Sequence, residues 1–358
     1  MDSQAKIDLI KQVGEEIITE EDLLTLFKEN PNPVAYQGFE PSGKIHIAQG
    51  IFVANNIRKF QEAGVKYKLL VADWFAYLNN KLGGDMDKIR KAGEYFIEVW
   101  KALGVDTDNV EILWSSDVIK DEKYWELVMK IARDSTVARI MRCSQIMGRQ
   151  EGEIQQASQI FYPCMQAADI FYLDADIAQH GLDQRKVQML AREIAPKLGF
   201  KKPICIHHHM LMGLGQPPKS ELTGADKGIA IKMSKSKPDT AIFMTDSEEE
   251  IKKKLNKAYC PEGEVDDNPV LEYAKYLIFE NFDSLKIERP EKFGGNLEFK
   301  SYEELEKAFA DKQLHPMDLK QATASYVNEM IQPVREHFEK DPKAKKLKQE
   351  IDSFEVTR

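Results

Sequence analysis

Cysteine is scarce in this chain, and the four present (Cys143, Cys164, Cys205 and Cys260) stand far apart with no CxxC pair. That spacing argues against a zinc site and a disulfide framework, and leaves scattered buried thiols as the reading. No apolar run is long enough to span a bilayer, so no membrane partner is expected. The opening MDSQAKIDLIKQ is too charged for a secretory core and too acidic for a mitochondrial presequence, which makes the cytoplasm the expected location. An excess of positive charge is also missing. Against 59 Asp and Glu stand 50 Lys and Arg, a net charge of -9, so nucleic-acid binding would need a local basic surface. IKKKLNK (251–257) and KDPKAKKLKQ (340–349) are the candidates, although each taken alone reads first as a solvated helix face.

What is present is ordinary globular composition, 42% hydrophobic and 30% charged, over 358 residues, enough for two domains with substantial cores. The first thirty residues read as two short helices, with Thr19 as N-cap before EEDLLTLF. Alternating units follow. Residues 33–39, 65–73, 110–116 and 202–209 read as strands, and 47–64, 87–104 and 182–199 as amphipathic helices. Strands separated by helices of this length imply a Rossmann-like α/β fold, a parallel sheet with helices on both faces. From about residue 243 the pattern becomes helical. Ser247 with Glu250 and Ser301 with Glu304 each form a capping box, and residues 317–340 have helical spacing with a kink or restart expected at Pro333. The expected division is a catalytic domain at 1–242, with an insertion at about 117–160, and an all-helical domain at 243–358.

Two polar stretches resist burial. In YQGFEPSGKIHIAQG (36–50), Gly38 and Gly43 bracket a turn, and His46 falls at the start of the next helix, where free N–H groups could seat a phosphate. This is neither GxGxxG nor a Walker A loop, and a plain strand–turn–helix with a stray histidine fits as well. About 190 residues later, IKMSKSKPDT (231–240) crowds three lysines and two serines into six residues, after a turn-rich run, GLGQPPKSELTGADKG. The three histidines at 207–209 suggest a metal, but neighbours on a strand point to opposite faces and cannot readily converge on one ion. No dedicated protein metal site is expected.

HIAQ (46–49) followed by KMSKS (232–236) resembles the HIGH and KMSKS signatures of class I aminoacyl-tRNA synthetases. GFEPSGKIHIAQ, FYPCMQAADI (161–170), GLDQRK (181–186), RPEKFGG (289–295) and HPMDLK (315–320) further resemble the tyrosyl-tRNA synthetases of archaeal and eukaryotic type, from about residue 8 to 340. The departure is at Ala48 and Gln49, where HIGH would have Gly and His; Gln49 keeps a donor but cannot be cationic.

The resemblance implies activation of L-tyrosine by ATP to tyrosyl-adenylate and pyrophosphate, then transfer to the 3′ end of tRNA(Tyr). Such chemistry needs positioning and charge neutralisation rather than a protein nucleophile. It implies His46, Lys232 and Lys235 as catalytic groups, with Lys232 and Lys235 closing on the phosphates and Mg²⁺ accompanying ATP. Gly38, Gln49, Met210 and Leu211 would complete the ATP site. Tyr36 and Asp169 would bind the substrate phenol, and Tyr162, Gln166 and Gln184 its α-ammonium. From the residues alone, Tyr162, Gln166 and Asp169 fall at i, i+4 and i+7 of one helix face, a polar stripe that equally could tie helix to sheet. In the second domain the resemblance implies that Phe293, His315 and Asp318 read the anticodon, although Asp318 near the start of a long helix fits a capping role as well. STVARIMRCSQIMGRQ (135–150), with Arg139, Arg142 and Arg149, reads as an amphipathic core helix; the resemblance implies a homodimer interface there, its arginines also near the acceptor stem. The alternatives are a tryptophanyl-tRNA synthetase, a catalytically silent RNA-binding relative, and a nucleotidyltransferase without tRNA.

Overall fold

A computed structural model describes residues 1–106, 109–147, 156–218, 222 and 224–354. The chain begins with helix α1 (Ser3–Lys11), strand β1 (Gly14–Ile18) and helix α2 (Glu20–Glu29). The strand corrects the two-helix expectation. Glu15 and Glu16 make the segment look like polar helix, but β1 is a sheet edge, where charged side chains are tolerated. Glu16 pairs with Arg185 at 2.8 Å. Thr19 does cap α2, its hydroxyl accepting from Asp22 N–H at 3.1 Å.

The alternating units then appear: β2 (Val34–Phe39), α3 (Ile51–Glu62), β3 (Lys66–Val71), α4 (Met86–Ala102), β4 (Val110–Trp114), α5 (Glu122–Arg133), α6 (Val137–Met141), α7 (Ser158–Tyr172), β5 (Ile177–Gly181), α8 (Arg185–Ile194) and β6 (Ile204–His208). The sheet order is β1-β6-β5-β2-β3-β4. All pairings are parallel except β1 with β6. Strand β5 was not foreseen, because Gln179 and His180 break its apolar run. Both are buried yet partnered: Gln179 by the Tyr67 hydroxyl at 2.5 Å, and His180 Nε2 by the Gly38 N–H at 3.1 Å. Gly38 lies inside β2, in the stretch read as a strand at 33–39.

Alternation along the strands feeds two cores, one per face. Ala35, Leu69 and Ile177 join one cluster, while Tyr36, Leu70 and Ala178 join the other. The first gathers residues of α1 to α4 and continues into the helical region; the second gathers α5, α7 and α8.

After β6 come α9 (Gly224–Ile231), α10 (Glu248–Lys257), α11 (Pro269–Tyr273), β7 (Leu285–Ile287), β8 (Leu297–Phe299), α12 (Tyr302–Ala310), α13 (Pro316–Lys340) and α14 (Pro342–Asp352). Helix α9 corrects the turn-rich reading, which extended to Gly228. The antiparallel pair β7–β8 corrects the all-helical reading of this region. Ser247 and Glu250 form the complete capping box. At the second site only half is made: Ser301 Oγ accepts from Glu304 N–H at 3.3 Å, but the Glu304 carboxylate takes the Lys300 N–H. Helix α13 runs through Pro333 as one 25-residue element.

Candidate active site

Strands β2 and β5 are neighbours in the sheet, and the chain proceeds outward from them in opposite directions, through β3 and β4 on one side and β6 on the other. Such a switch point opens a crevice at the carboxyl ends of the strands. Here the crevice is a cleft of about 1140 Å³ lined by Tyr36, Gly38, His46, Gln49, Tyr162, Gln166, Asp169, Gln184, Met210, Leu211, Lys232 and Lys235. Every residue singled out above for ATP or amino acid thus faces one space.

The first signature is held by backbone pairing to residues 242–244, just after the second. Ile47 N–H donates to Ile242 O at 2.9 Å and Met244 N–H to Ile45 O at 2.9 Å, flanking a bridge between His46 and Phe243. Gly50 permits this closeness, since a Cβ there would lie 2.5 Å from Met244 Sδ. His46 sits in this pairing and a turn, five residues before the first residue of α3, which corrects its expected place at the helix start. Among the described residues its buried Nδ1 finds no hydrogen-bond partner. Burial, followed by the Lys235 and Lys232 ammonium groups, holds its pKa well below the usual range, so the imidazole is neutral. Gln49 Oε1 is likewise buried and unpartnered among the described residues, and the Gln49 backbone carbonyl accepts from Trp100 Nε1 at 2.9 Å.

The signature lysines take different partners. Lys232 Nζ is 2.6 Å from Asp183 Oδ2, whereas Lys235 Nζ donates to Ser42 Oγ at 3.0 Å and lies 4.6 Å above the Phe96 ring. Burial, then the nearby Lys81 ammonium, lowers the Lys235 pKa to about 7, with Glu40 opposing. Burial raises the Asp183 pKa, but the charge and hydrogen bond of Lys232 outweigh it and the net shift is downward. A polyanion entering here would meet a cationic loop and a neutral histidine.

At the opposite end lies a buried carboxylate. Asp169 is 1% exposed; its Oδ2 accepts from the Tyr36 hydroxyl at 3.1 Å and its Oδ1 from the Tyr124 hydroxyl at 2.9 Å. Burial raises its pKa to about 7, against the pull of the two phenols. Burial and then the Asp169 charge raise both tyrosines well above their usual range, so they remain donors. Tyr124 was missed because on α5 it sits among apolar residues at core spacing. Between the two ends, Gln166 Nε2 donates to Gln184 Oε1 at 3.0 Å, while Gln166 Oε1 is buried without a partner among the described residues. Tyr162 donates to Glu40 Oε1 at 2.6 Å, and Glu40 also accepts from Asn79 at 3.0 Å. Glu40 and Asp183, both unforeseen, lie in stretches that were quoted for other residues.

The remaining candidates lie elsewhere. Phe293 is 60% exposed in the helical region. Arg289 ties its loop to the start of α13, donating to Gly295 O at 2.6 Å and Gln313 O at 3.2 Å. His315 is the N-cap of α13, Nδ1 accepting from Met317 N–H at 3.1 Å, so Asp318 belongs to the first turn and is not the cap. The three consecutive histidines diverge: His207 toward Glu16, His208 to Gln179, and His209 onto the Tyr276 ring. Arg139 is engaged by Glu193 at 2.8 Å, and Arg149 lies outside the described residues.

A sequence model of the family described as tRNA synthetases class I (W and Y) matches residues 28–332. The cytoplasmic tyrosine-tRNA ligase 1 of Arabidopsis thaliana is 49% identical over 358 residues, covering 99% of this chain and 90% of its own length. A tyrosine-tRNA ligase of Saccharolobus islandicus is 44% identical over 363 aligned residues, covering 100% of both chains. The solved structure of tyrosyl-tRNA synthetase complexed with L-tyrosine from Pyrococcus horikoshii is 40% identical, with a TM-score of 0.91 over 98% of this chain and 100% of that one. With a match that spans most of its length and both signatures joined at one cleft, the chain belongs to the class I tRNA synthetases of the tryptophan and tyrosine group.

Proposed function

We propose that this protein is a tyrosine-tRNA ligase, which activates L-tyrosine with MgATP and transfers the tyrosyl group to the 3′ end of tRNA(Tyr). The observation that carries the reading is the Asp169 carboxylate, buried and flanked by the hydroxyls of Tyr36 and Tyr124. A substrate phenol is a third donor of the same kind. An indole N–H is a donor too, but the Arabidopsis and Saccharolobus relatives are both named for tyrosine. Sites built to hydrogen-bond a hydroxyl, tyrosyl-tRNA synthetases being the measured case, reject the analogue lacking it by about 10⁴–10⁵.

The chemistry then falls to this chain's residues as follows. Tyr36 and Asp169 orient the phenol. Tyr162, Gln166 and Gln184 take the α-ammonium, which would satisfy the unpartnered Gln166 Oε1. Gly38, Met210 and Leu211 seat the nucleotide, with His46 and Gln49 offering neutral polar atoms beside the phosphates. The carboxylate of tyrosine attacks the α-phosphate and pyrophosphate leaves. Lys232 and Lys235 neutralise charge on that leaving group, the usual largest contribution in such transfers. Mg²⁺ enters as part of the ATP substrate.

Residues 1–242 form the catalytic part in this reading, and 243–358 the part that reads the anticodon. Phe293 offers an exposed face for stacking, while His315 and Asp318 stand at the start of α13 beside it; unstacked loop bases are recognised by such groups. The intact signature lysines weigh against a catalytically silent relative, and the second region against a nucleotidyltransferase without tRNA. A homodimer through α5, α6 and α7 would cover Met129, Val137 and Phe161, which are 52%, 66% and 38% exposed; sedimentation of Val137→Glu as a monomer checks it. The cytoplasm is the proposed location; among the described residues no helix is long and apolar enough to cross a membrane. Amino-acid-dependent exchange of pyrophosphate into ATP, run across the twenty amino acids and followed by charging of tRNA(Tyr), tests the assignment. Exchange driven by tryptophan, or none at all, would overturn it.

A further inference from the structure

Strand β6 ends at His208, and the chain that continues along the cleft wall has left the sheet. One residue there has both backbone groups held by α11. Met212 N–H donates to Glu272 Oε1 at 2.8 Å, and Met212 O accepts from the Tyr273 hydroxyl at 3.1 Å. The same Glu272 oxygen lies 2.6 Å from His209 Nε2, and the His209 ring stacks on Tyr276 with centroids 4.3 Å apart. On the other side of the segment, Glu15 Oε2 is 3.3 Å from His209 Nδ1. Met212 and Tyr273 are buried, so a lost bond there leaves a polar backbone atom without water to replace it.

The neighbours of Met212 are bonded to the signature segment. Met233 N–H donates to Leu211 O at 2.8 Å, Gly213 N–H donates to Ile231 O at 3.0 Å, and Met212 faces Lys232 across an antiparallel bridge. Residues 211–213 and 231–233 thus form a short ladder, with Leu211, Lys232 and Met233 facing the cleft. The ladder is anchored at its centre by a helix of the other region.

We propose that Glu272 and Tyr273 are positioning residues for ATP: by fixing Met212 they set both the wall at Met210–Leu211 and the root of the signature lysines. The inference rests on the reading of this cleft as an ATP site. It assigns a role in the first reaction to a helix that touches neither substrate, and it makes the placement of the helical region a determinant of ATP affinity.

The test compares Tyr273→Phe, Glu272→Ala and Glu272→Gln in tyrosine-dependent pyrophosphate exchange, with amide hydrogen exchange as a second readout. Tyr273→Phe and Glu272→Ala are expected to raise the KM for ATP about three- to tenfold, the effect of one lost buried hydrogen bond, and to leave the KM for tyrosine unchanged. The amides of Gly213 and Met233 should exchange faster in both. Glu272→Gln keeps an acceptor for Met212 N–H and should stay near wild type in both readouts. An unchanged KM for ATP in the first two variants would overturn the proposal. So would ATP and tyrosine constants rising together with a falling melting temperature, which marks a merely structural role. If the unaltered protein shows no exchange with tyrosine, the functional reading falls; amide protection at Gly213 and Met233 still decides whether the clamp exists.

Discussion

The ammonium of Lys232 lies 2.6 Å from the carboxylate of Asp183, so the first lysine of the signature is ion-paired within the cleft. The second, Lys235, is met among the described residues by a serine hydroxyl and an aromatic face, with the Lys81 ammonium and the Glu40 carboxylate nearby. The two lysines share a motif and a cleft but differ in what their removal leaves behind.

Lys232→Ala would strand Asp183, whose side chain is 12% exposed, as a largely buried carboxylate without its cation. A loss of about 1–3 kcal/mol in stability is expected, visible as a lower melting temperature. Lys235→Ala removes a charge that burial disfavours, so stability should hold or rise. Both should slow adenylate formation, Lys235→Ala by about 10²–10³ with tyrosine binding nearly intact. Single-turnover activation and calorimetric melts on the two variants separate these effects, and an unchanged activation rate in Lys235→Ala would sink its role.

Removal of the buried carboxylate should abolish amino-acid selectivity. Asp169→Ala is expected to lose tyrosine-over-phenylalanine discrimination in activation assays. Tyr124→Phe, which removes one of the two bonds that orient Asp169, should weaken tyrosine binding by about fivefold to twentyfold with ATP affinity unchanged. Preserved discrimination in Asp169→Ala would count against the whole assignment of this end of the cleft.

The same carboxylate should cost the fold stability. Its pKa is raised from 3.8 to about 7, so between those values the folded state binds more protons than the unfolded one. Stability from this group therefore falls as pH rises from about 4 to about 7 and is flat above. Asp169→Asn removes the buried charge, and should gain roughly 1–3 kcal/mol relative to the unaltered protein at pH 8, with little gain at pH 4. Melting temperatures across that range check the sign; a gap that narrows as pH rises contradicts it.

Changes in the helical region should separate the two reactions. Asp318→Ala and Phe293→Ala are expected to raise the KM for tRNA(Tyr) in charging and to leave tyrosine-dependent pyrophosphate exchange unaltered. Asp318 lies in the first turn of α13, where its charge also favours the helix dipole, so a small stability loss of about 0.3–1 kcal/mol is expected alongside. Equal losses in exchange and charging would make the residue structural.

Legibility in the sequence followed the range of the interaction. Strands β2, β3, β4 and β6 and helices α3, α4 and α8 show in periodicity, since burial on one face repeats every two or 3.6 residues whatever lies opposite. The Ser247 capping box is local, and so was readable; the Ser301 one failed because Lys300 offered the Glu304 carboxylate a competing N–H. Strands β1 and β5 escaped notice because their polar residues are satisfied only by distant partners: Glu16 by Arg185, Gln179 by Tyr67, His180 by Gly38.

The site divides in the same way. HIAQ and KMSKS stand out in the sequence because a cationic loop and a polar turn are improbable as core, and their resemblance to the class I signatures supplies the chemistry. Tyr124 beside Asp169, Glu40 beside Tyr162 and Asp183 beside Lys232 were decided by the tertiary structure, as was the hold of α11 on Met212. Each joins side chains or backbone 45 or more residues apart, and which groups share a buried space is set only when sheet and helices close over it.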